Sequence, residues 1–496
     1  MAEETSSSQG RSTFRRSLIV NFLSSSGATI VQFIVSVLLA RLLTPQEIGV
    51  YSIAIVLVNI AHVFRDFGVG SYLQRENDLT TEKIRAAMGV AYASTWLIAA
   101  CIFLSSSQVA AYFGYDGIRP VMKVLALSFL FIPFSSVALS LLLRTYDAAS
   151  IAWTTAWGTL AYSVTCLGLA YAGFGTMSLA WANLANVMAT CIAYIWLRPA
   201  TMPWLPAFRN IGGIVRFGSG ALFANLIKTI NDAVPDLVLG KMGSARQVGL
   251  LSRANSTVSI FIYVAGSAMN FGSQTYLAEA FHSGKPLEPL LHRSTALVTA
   301  VGWPILAVTS MAASDIIRVL YGNDWVEAAP AVPPLALMAA IGMMFHYNVA
   351  AFNAIGRPYL AAFPLTTTVV SRVLLAVLLF SGSILSFAWA LAAATMVTLP
   401  LWLFLQRRYL GCGVLRFLVM LIPSAISSIA CAIAAAACLA LFDRYAVHSP
   451  FLRILLLAAP LTAVWLLSLR MLSHPLFEEI SVLWTKIGHI TRPVRT

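Results

Sequence analysis

Residues 40–49 read ARLLTPQEIG and residues 240–249 read GKMGSARQVG, so the two stretches pair position by position at an offset of 200. Further matches follow in the same order at offsets of 204 and 208: Phe67-Gly68 with Phe271-Gly272, and Ala180-Trp181-Ala182 with Ala388-Trp389-Ala390. Each match is short, but the constant order and the nearly constant offset indicate an internal repeat. The sequence therefore predicts two copies of one structural unit.

The composition indicates a membrane protein. Of the 496 residues, 59% are hydrophobic and only 10% are charged, whereas a soluble domain carries about 25% charged residues. The missing charge means that most of the surface faces lipid. The net charge of +13 comes from Lys and Arg residues scattered in short loops between apolar runs. That distribution is typical of membrane topology signals and not of a nucleic-acid-binding surface, so we expect no nucleic acid partner.

The apolar runs are long enough to cross a bilayer. A spanning helix needs about 20 mainly apolar residues, and in lipid the backbone must satisfy its own hydrogen bonds, which favours helices. The sequence predicts an all-α integral membrane protein with fourteen transmembrane helices, near residues 17–40, 48–67, 86–106, 120–143, 150–172, 176–197, 215–240, 247–270, 293–314, 330–352, 359–380, 384–406, 417–441 and 452–470.

Charge asymmetry between the loops predicts the orientation. If the fourteen spans alternate from a cytoplasmic N-terminus, twenty Lys and Arg residues fall on the cytoplasmic side and seven on the other, with Arg453 just inside a span. This is a clear positive-inside bias. A single miscounted span would scramble the asymmetry, so it supports the count. We expect both termini in the cytoplasm.

The repeat unit contains six spans, an even number, so both copies have the same orientation. We predict two parallel six-helix lobes plus two extra C-terminal helices, which is a transporter architecture with its site between the lobes. After Arg470, the apolar residues from Leu476 to Ile490 share one helical face and predict a helix on the membrane surface. The predicted parts are a cytoplasmic tail 1–16, an N-lobe 17–197, a C-lobe 213–406, the extra helices 417–470 and an amphipathic tail 471–496.

Catalytic and metal-binding motifs are missing from the sequence. None of the six cysteines forms a CxxC pair, and no phosphate-cradling Walker loop or metal-spaced histidine cluster occurs. We therefore expect a protein that is not an enzyme and that has no cofactor or metal.

The seventh predicted span carries an unusual polar stripe. Asn225, Lys228, Asp232 and Asp236 follow steps of three, four and four, which places them on one helical face. Each charged side chain at mid-membrane costs roughly 2.5–3.5 kcal/mol on insertion scales, so such residues usually form ion pairs or belong to a functional site. One interpretation is a structural ion pair facing the bundle, since Lys228 and Asp232 can pair. The other is the polar wall of a central cavity, with a kink at Pro235.

Other ionisable residues also fall inside predicted spans. Arg372 lies near the middle of the eleventh span without an acidic residue in that span, and Arg253 lies in the eighth, where it can pair with Asp236. A mid-membrane arginine favours a watery cavity or an anionic substrate, because arginine binds phosphate through two parallel hydrogen bonds. His346, in the tenth span, is more typical of a hydrogen-bonded core residue than of a ligand.

The cytoplasmic end of the second span carries Arg65 and Asp66. A solvated ion pair is the simpler interpretation, and a cytoplasmic gate is the alternative.

Several stretches resemble the polysaccharide transporter family, the O-antigen and exopolysaccharide flippases of the MOP superfamily. They occur in the family's order along nearly the whole chain and are residues 40–51, Phe64-Arg65-Asp66-Phe67-Gly68-Val69-Gly70, Pro235-Asp236-Leu237-Val238-Leu239-Gly240, Gly249-Leu250-Leu251-Ser252-Arg253-Ala254, 317–325 and 353–358. Asp236, Arg253 and Arg65-Asp66 fall on positions where the family pattern has similar residues. The roles predicted for Lys228, Asp232 and Arg372 are based only on their depth in the membrane and on the helical face they occupy.

The resemblance implies a flippase that moves undecaprenyl-diphosphate-linked oligosaccharides across a bacterial inner membrane for surface polysaccharide synthesis. It also implies a central cationic cavity, coupling to an ion gradient, and a polysaccharide polymerase and chain-length regulator as further partners. An exporter of small cations with the same fold is the alternative, and a membrane polysaccharide polymerase or glycosyltransferase is a third. The short loops disfavour an extramembrane active site.

Overall fold

The computed structural model describes residues 27–66, 68–145, 147–209, 211–267 and 273–481, with the side chains of 66, 213–225, 261–267, 273–276 and 278 left out. Two compact units divide the chain, residues 1–249 and 250–496. The predicted tail 1–16 lies outside the described residues. The predicted lobe boundaries stay predictions, although the helix that the sequence assigned to the second lobe, 212–242, belongs to the first compact unit.

The repeated stretch that opened the sequence comparison forms a helix start in both copies. Thr44 donates its backbone N–H to Glu47 Oε2 at 2.8 Å, and Glu47 N–H donates to Thr44 Oγ1 at 3.3 Å. Ser244 and Gln247 repeat the arrangement at 3.1 and 3.3 Å. Both pairs are capping boxes, in which two orphan backbone donors of the first turn are satisfied reciprocally. The offset of 200 thus reflects a duplicated structural device.

The same stretch brings two glycines into close contact. A Cβ on Gly49 would overlap the carbonyl oxygen of Ala245, and a Cβ on Gly249 would overlap the carbonyl oxygen of Pro45. Gly49 is equivalent to Gly249 at the offset of 200, and Pro45 is equivalent to Ala245. Each glycine therefore contacts the counterpart of the other's neighbour, and the contact has an approximate local two-fold symmetry. Any larger residue at either position would force the two helix starts apart.

The first unit is a bundle of helices in which α7 packs along α8, α2 packs on α9, and α5 packs on both α4 and α8. A core cluster that includes Leu73, Met88 and Met202 fills the end of the bundle near α3. Its helices are α1 (Gly27–Ala40), α2 (Pro45–Asp66), α3 (Val69–Arg75), α4 (Thr81–Phe113), α5 (Ile118–Ser128), α6 (Ile132–Arg144), α7 (Ala148–Tyr171), α8 (Thr176–Trp196) and α9 (Gly212–Met242).

The second unit begins within α10 (Ala245–Ser267). Within it α12 packs on α18 and α14, and α16 packs on α17. Its further helices are α11 (Ser273–His282), α12 (Leu287–Met311), α13 (Ala313–Tyr321), α14 (Val332–Met344), α15 (Asn348–Ala354), α16 (Ala362–Leu379), α17 (Ile384–Leu410), α18 (Val414–Arg444), α19 (Pro450–Met471) and α20 (475–481), with 3-10 turns at Asn323–Ala331 and Pro358–Ala361.

Two spans of the first unit are broken. Between α2 and α3, Gly68 has a φ of 68°, a left-handed conformation that favours glycine. Between α5 and α6 the chain bends by 48° at residues 129–131. Broken helices occur at membrane depth where the freed backbone is buried in protein or lines a cavity. Both breaks adjoin the cavity described below.

Each of the fourteen predicted spans falls mainly on helix in its described part, with turns at 129–131 and 345–347, and residues 17–26, 67 and 268–270 lie outside the described residues. Within the described ranges, nine helical segments are long and apolar enough to cross a membrane, or ten if α5 and α6 count as one span. Three of the nine join successive elements and are Pro45–Arg75, Asn323–Ala354 and Pro358–Leu379. The helices α7, α9 and α10 are not among them, because their polar residues lower the mean hydropathy. An all-helical protein with many apolar spans is therefore observed, and the count of fourteen stays a prediction.

The predicted helix on the membrane surface packs differently in its described part. In α20, Leu476 is buried against Ala300 and Leu469, with Phe477 and Ile480 beside it. The apolar face therefore covers the protein itself, because α12 and α19 offer it an apolar surface. The rest of the predicted stripe, from Leu483 onward, lies outside the described residues.

Candidate functional site

A polar cavity lies inside the first unit, between the two broken spans and α8. Its volume is about 490 Å³, within the range of roughly 300–1,000 Å³ typical of small-ligand sites. We call it the α8 cavity. It is lined by His62, Val63, Arg65, Gly68, Gly70, Ser71, Gln74, Ile132, Ser135, Ser136, Leu139, Ser140, Leu143, Asn183, Asn186, Val187, Thr190 and Tyr194.

The wall formed by α8 carries a polar stripe in an otherwise apolar helix. Asn183, Asn186 and Thr190 follow steps of three and four, so they share one face. A Cβ on Gly158 of α7 would overlap Thr190 Oγ1 and lie 3.4 Å from Asn186 Nδ2. The absence of a side chain at Gly158 thus lets α7 approach α8 closely at the level of this stripe.

The end of α2 supplies a cation to the α8 cavity. Arg65 Nη1 lies 3.0 Å from His62 Nδ1, and the His62 ring stacks on Phe129 with 4.4 Å between ring centroids. Ser94 Oγ donates to the Arg65 carbonyl oxygen at 3.1 Å. These contacts hold Arg65 at the cavity wall. The side chain of Asp66, its predicted partner, lies outside the described residues, so the ion pair and the gate stay predictions.

The α8 cavity is rich in uncharged hydrogen-bonding groups. Amides, hydroxyls and one phenol line it together with His62 and Arg65, and no carboxylate occurs among the described lining residues. Such a wall can exchange many hydrogen bonds with a polar molecule. It offers a small cation no opposite charge.

The predicted stripe on α9 is present, but its ion pair is not formed. The side chains of Lys228 and Asp232 are exposed, Asp236 is half-buried, and Asp232 Oδ1 accepts from Asn231 Nδ2 at 3.4 Å. Among the described residues no ion pair joins Lys228 to Asp232. Helix α9 runs through Pro235 without interruption, and the side chain of Asn225 lies outside the described residues.

The other predicted cations lie in the second unit. Arg372 is only 9% exposed, and its Nη2 lies 3.6 Å from Met338 Sδ. The guanidinium of Arg253 lies over the Tyr321 ring, 5.7 Å from its centroid. His346 is exposed and contacts the edge of the Tyr347 ring. Burial thus distinguishes Arg372 from the rest, and a common cavity for these residues stays a prediction.

A second cavity, of about 580 Å³, lies in the second unit between α12, α13, α18 and α19. Its lining is almost entirely apolar, and its threonines, Thr309 and Thr462, donate to carbonyl oxygens of their own helices. This cavity therefore offers little to a hydrophilic cargo.

Sequence reasoning missed the polar stripe on α8. Ionisable residues inside the spans predicted the candidate site, whereas Asn183, Asn186 and Thr190 are neutral. The signal was present, because amides and a hydroxyl at helical spacing inside an apolar span are unusual. The helix breaks that make room for the α8 cavity could not be read from spacing alone.

Comparison with known families decides the classification. A family described as polysaccharide biosynthesis proteins matches residues 38–330, more than half of the chain. The chain belongs to this family. The predicted resemblance is thereby confirmed at the level of the family, and the chain is a multi-pass membrane protein.

Individual relatives are distant. The chain is 23% identical over 334 residues to the succinoglycan biosynthesis transport protein ExoT of Rhizobium meliloti (strain 1021), covering 66% of this chain and 67% of ExoT. It is 18% identical over 389 residues to the teichuronic acid biosynthesis protein TuaB of Bacillus subtilis (strain 168), covering 76% and 78%. Among solved structures, the lipid II flippase MurJ in an inward closed conformation matches with a TM-score of 0.72 at 14% identity, covering 92% and 99%. That likeness shows the fold.

Proposed function

We propose that this protein is a flippase that carries undecaprenyl-diphosphate-linked oligosaccharide units across the bacterial inner membrane by alternating access, with both termini in the cytoplasm. The observation that carries the proposal is the α8 cavity, a polar space among the membrane helices of a polysaccharide biosynthesis protein. The transport function named for ExoT and the fold shared with MurJ support it. On this proposal the protein is a transporter and not an enzyme.

The diphosphate linker needs cations. We assign this role to Arg372, Lys228 and Arg253, because guanidinium and ammonium groups bind phosphate oxygens through charge-assisted hydrogen bonds. Burial favours Arg372 as the strongest contributor, since a charge held away from water interacts more strongly with an anion. Asp232 and Asp236 would bind a coupling ion, since Asp232 forms no ion pair with Lys228 among the described residues.

The remaining predicted residues have secondary roles. Arg65 and Asp66 would form a gate, and Asn225 and His346 would add polar contacts along the path. The lipid tail would stay in the bilayer while the head group crosses, as alternating access by two parallel lobes requires.

Deleting the gene in its bacterial host tests the function. We expect loss of surface polysaccharide and accumulation of lipid-linked oligosaccharide, both restored by the wild-type gene. In the same strain, Arg372→Ala should lower surface polysaccharide at least about tenfold at matched protein level, since hydrogen bonds to charged groups contribute roughly 1.5–3 kcal/mol.

Two controls sharpen the test. Arg372→Lys should retain part of the activity, and Arg408→Ala, an exposed arginine at the end of α17, should behave as wild type. Normal polysaccharide in the deletion strain would refute the proposed function. Undiminished export by Arg372→Ala would remove only the role given to Arg372.

The cation exporter is disfavoured by the charge of the α8 cavity, which has Arg65 and no carboxylate among its described lining residues. Expression in a drug-sensitive, exporter-deficient host should leave drug susceptibility unchanged. Extension of labelled lipid-linked sugar by the purified protein would instead favour a polymerase.

A further inference from the structure

The polar groups of the α8 cavity differ in what they already bind. Asn183 hydrogen-bonds the Tyr51 hydroxyl, so it has a structural partner. Asn186 and Thr190 form no side-chain hydrogen bond with any part of the chain that the structure describes, and the same holds for Gln74 on the opposite wall. Asn186 and Thr190 are half-buried and Gln74 is exposed, and amide and hydroxyl groups that face an open cavity can exchange solvent for a ligand at little cost.

The internal repeat provides a comparison for this wall. The offset of 208 that pairs Trp181 with Trp389 also pairs Asn183, Asn186 and Thr190 with Leu391, Ala394 and Thr398. These three residues of α17 are at most 1% exposed, and Thr398 Oγ1 donates to the Thr395 carbonyl oxygen within its own helix. The equivalent helix therefore packs without open amides, so packing does not explain the amides of α8.

The chemistry of the α8 cavity identifies its ligand class. A primary amide presents two donors and a carbonyl acceptor in one plane, and hydroxyls both donate and accept. Neighbouring hydroxyl groups of a sugar ring match this alternation of donors and acceptors. An anion would find one cation, Arg65, at the edge of a largely neutral wall, and a cation would find no carboxylate among the described lining residues.

We propose that the α8 cavity binds the neutral sugar part of the transported head group, with Asn186, Thr190 and Gln74 as its hydrogen-bonding residues. Arg65 lies where it can contact an acidic substituent of the glycan. This inference rests on the proposed function and adds the place where the glycan is recognised. It separates glycan selection in the first unit from diphosphate binding by the cations assigned above.

Binding to the purified full-length protein tests the assignment. The probe is the repeat-unit oligosaccharide released from the host's own surface polysaccharide, free of lipid and phosphate, with inorganic pyrophosphate as the second ligand. Asn186→Leu and the nearly isosteric Thr190→Val should each weaken oligosaccharide binding about tenfold or more, because an unmatched polar group in a desolvated contact costs roughly 1–3 kcal/mol. Pyrophosphate binding should stay within twofold of wild type, roughly 0.4 kcal/mol.

A matched control lies on the same helix. Met188 of α8 is 38% exposed and does not line the α8 cavity, so Met188→Leu should bind both probes as wild type. Thr190→Val keeps the volume of the side chain, which guards against misfolding at the close contact with Gly158. Gln74→Leu on the opposite wall repeats the test away from that contact.

The outcomes separate the two proposals. If the deletion strain still makes surface polysaccharide, the proposed function fails and the assigned ligand fails with it. If the deletion strain is deficient but the Asn186, Thr190 and Gln74 variants bind the oligosaccharide as wild type, only the sugar site is overturned. Loss of pyrophosphate binding with intact oligosaccharide binding would also overturn it, because the cavity would then hold the linker.

Discussion

Helices α8 and α17 occupy equivalent positions in the internal repeat, but the environments of their equivalent side chains differ. Asn186 of α8 faces a cavity of about 490 Å³, whereas Ala394, its counterpart in α17, is fully buried. The difference shows that one copy of the unit keeps space and open hydrogen-bonding groups while the other fills the equivalent position. Duplication accounts for the equivalent helices, whereas the open amide and hydroxyl groups occur in one copy only among the described residues.

The second unit also contains polar groups in its core, but it satisfies them internally. His474 is 1% exposed, its Nδ1 accepts the Leu476 N–H at 3.1 Å, and its Nε2 lies 3.2 Å from Ser424 Oγ. Ser424 Oγ in turn lies 3.1 Å from Thr299 Oγ1. A buried cluster with its partners present stabilises a fold, whereas open groups in a cavity are available to a ligand.

The largest effect is expected from placing the amide of α8 into α17. Ala394→Asn should lower the free energy of unfolding by about 2–4 kcal/mol, because it overfills a packed position and buries an amide without a partner. The thermal midpoint of the purified protein in detergent measures this change. The reciprocal variant Asn186→Ala should change stability by less than about 1 kcal/mol, since its side chain faces open space. Equal midpoints for the two variants would contradict the comparison.

A smaller loss of stability is expected at the buried cluster of the second unit. Ser424→Ala leaves the Nε2–H of His474 without its acceptor, which should cost about 1–3 kcal/mol. Surface polysaccharide at matched protein level should stay at the wild-type value, because the hydrogen bonds of this cluster are made within the protein and leave no open group for a ligand. A defect in export with unchanged stability would show that the cluster is functional.

The same histidine predicts a dependence on pH. Burial lowers the pKa of His474 below its ordinary value of 6.5, so the folded protein favours the neutral ring. Its contribution to stability is complete above pH 6.5 and is lost as the pH falls through the lowered value, since the unfolded chain takes up the proton first. Thermal midpoints between pH 7.5 and 5 should fall less steeply for His474→Gln than for wild type. Parallel curves would refute this role.

The smallest effect is expected at the surface ion pair between Arg293 and Glu479, which joins α12 to α20. Both side chains are about half exposed, so Glu479→Gln should cost less than about 1 kcal/mol. The apolar contacts of Leu476 should keep α20 in place, and Leu476→Ala should destabilise it more. Limited proteolysis of the C-terminal segment compares the two variants, and greater cleavage in Glu479→Gln would reverse the expected order.

Much of the architecture could be predicted from the chain because lipid imposes strong constraints. Apolar runs of sufficient length must be helical, and the fourteen predicted spans are mainly helical in their described parts, with turns at 129–131 and 345–347. The duplicated capping box could also be read directly, since Thr44-Glu47 and Ser244-Gln247 act over a single turn. The candidate site was harder to predict, because charged residues inside apolar spans are the clearest signal in the sequence and the lining of the α8 cavity is mostly neutral.

Local sequence therefore determined the elements of this protein: helices from hydropathy, helix starts from capping residues, the repeat from its offsets and the family from an ordered set of short stretches. Only the tertiary structure decided that Asn186 and Thr190 face a cavity, that Lys228 and Asp232 do not pair, and that the described part of α20 covers protein. The physical reason is the distance along the sequence over which each kind of interaction acts. Backbone hydrogen bonds and caps depend on residues within one turn, whereas a cavity depends on helix breaks and close approaches, such as that at Gly158, between segments distant in sequence.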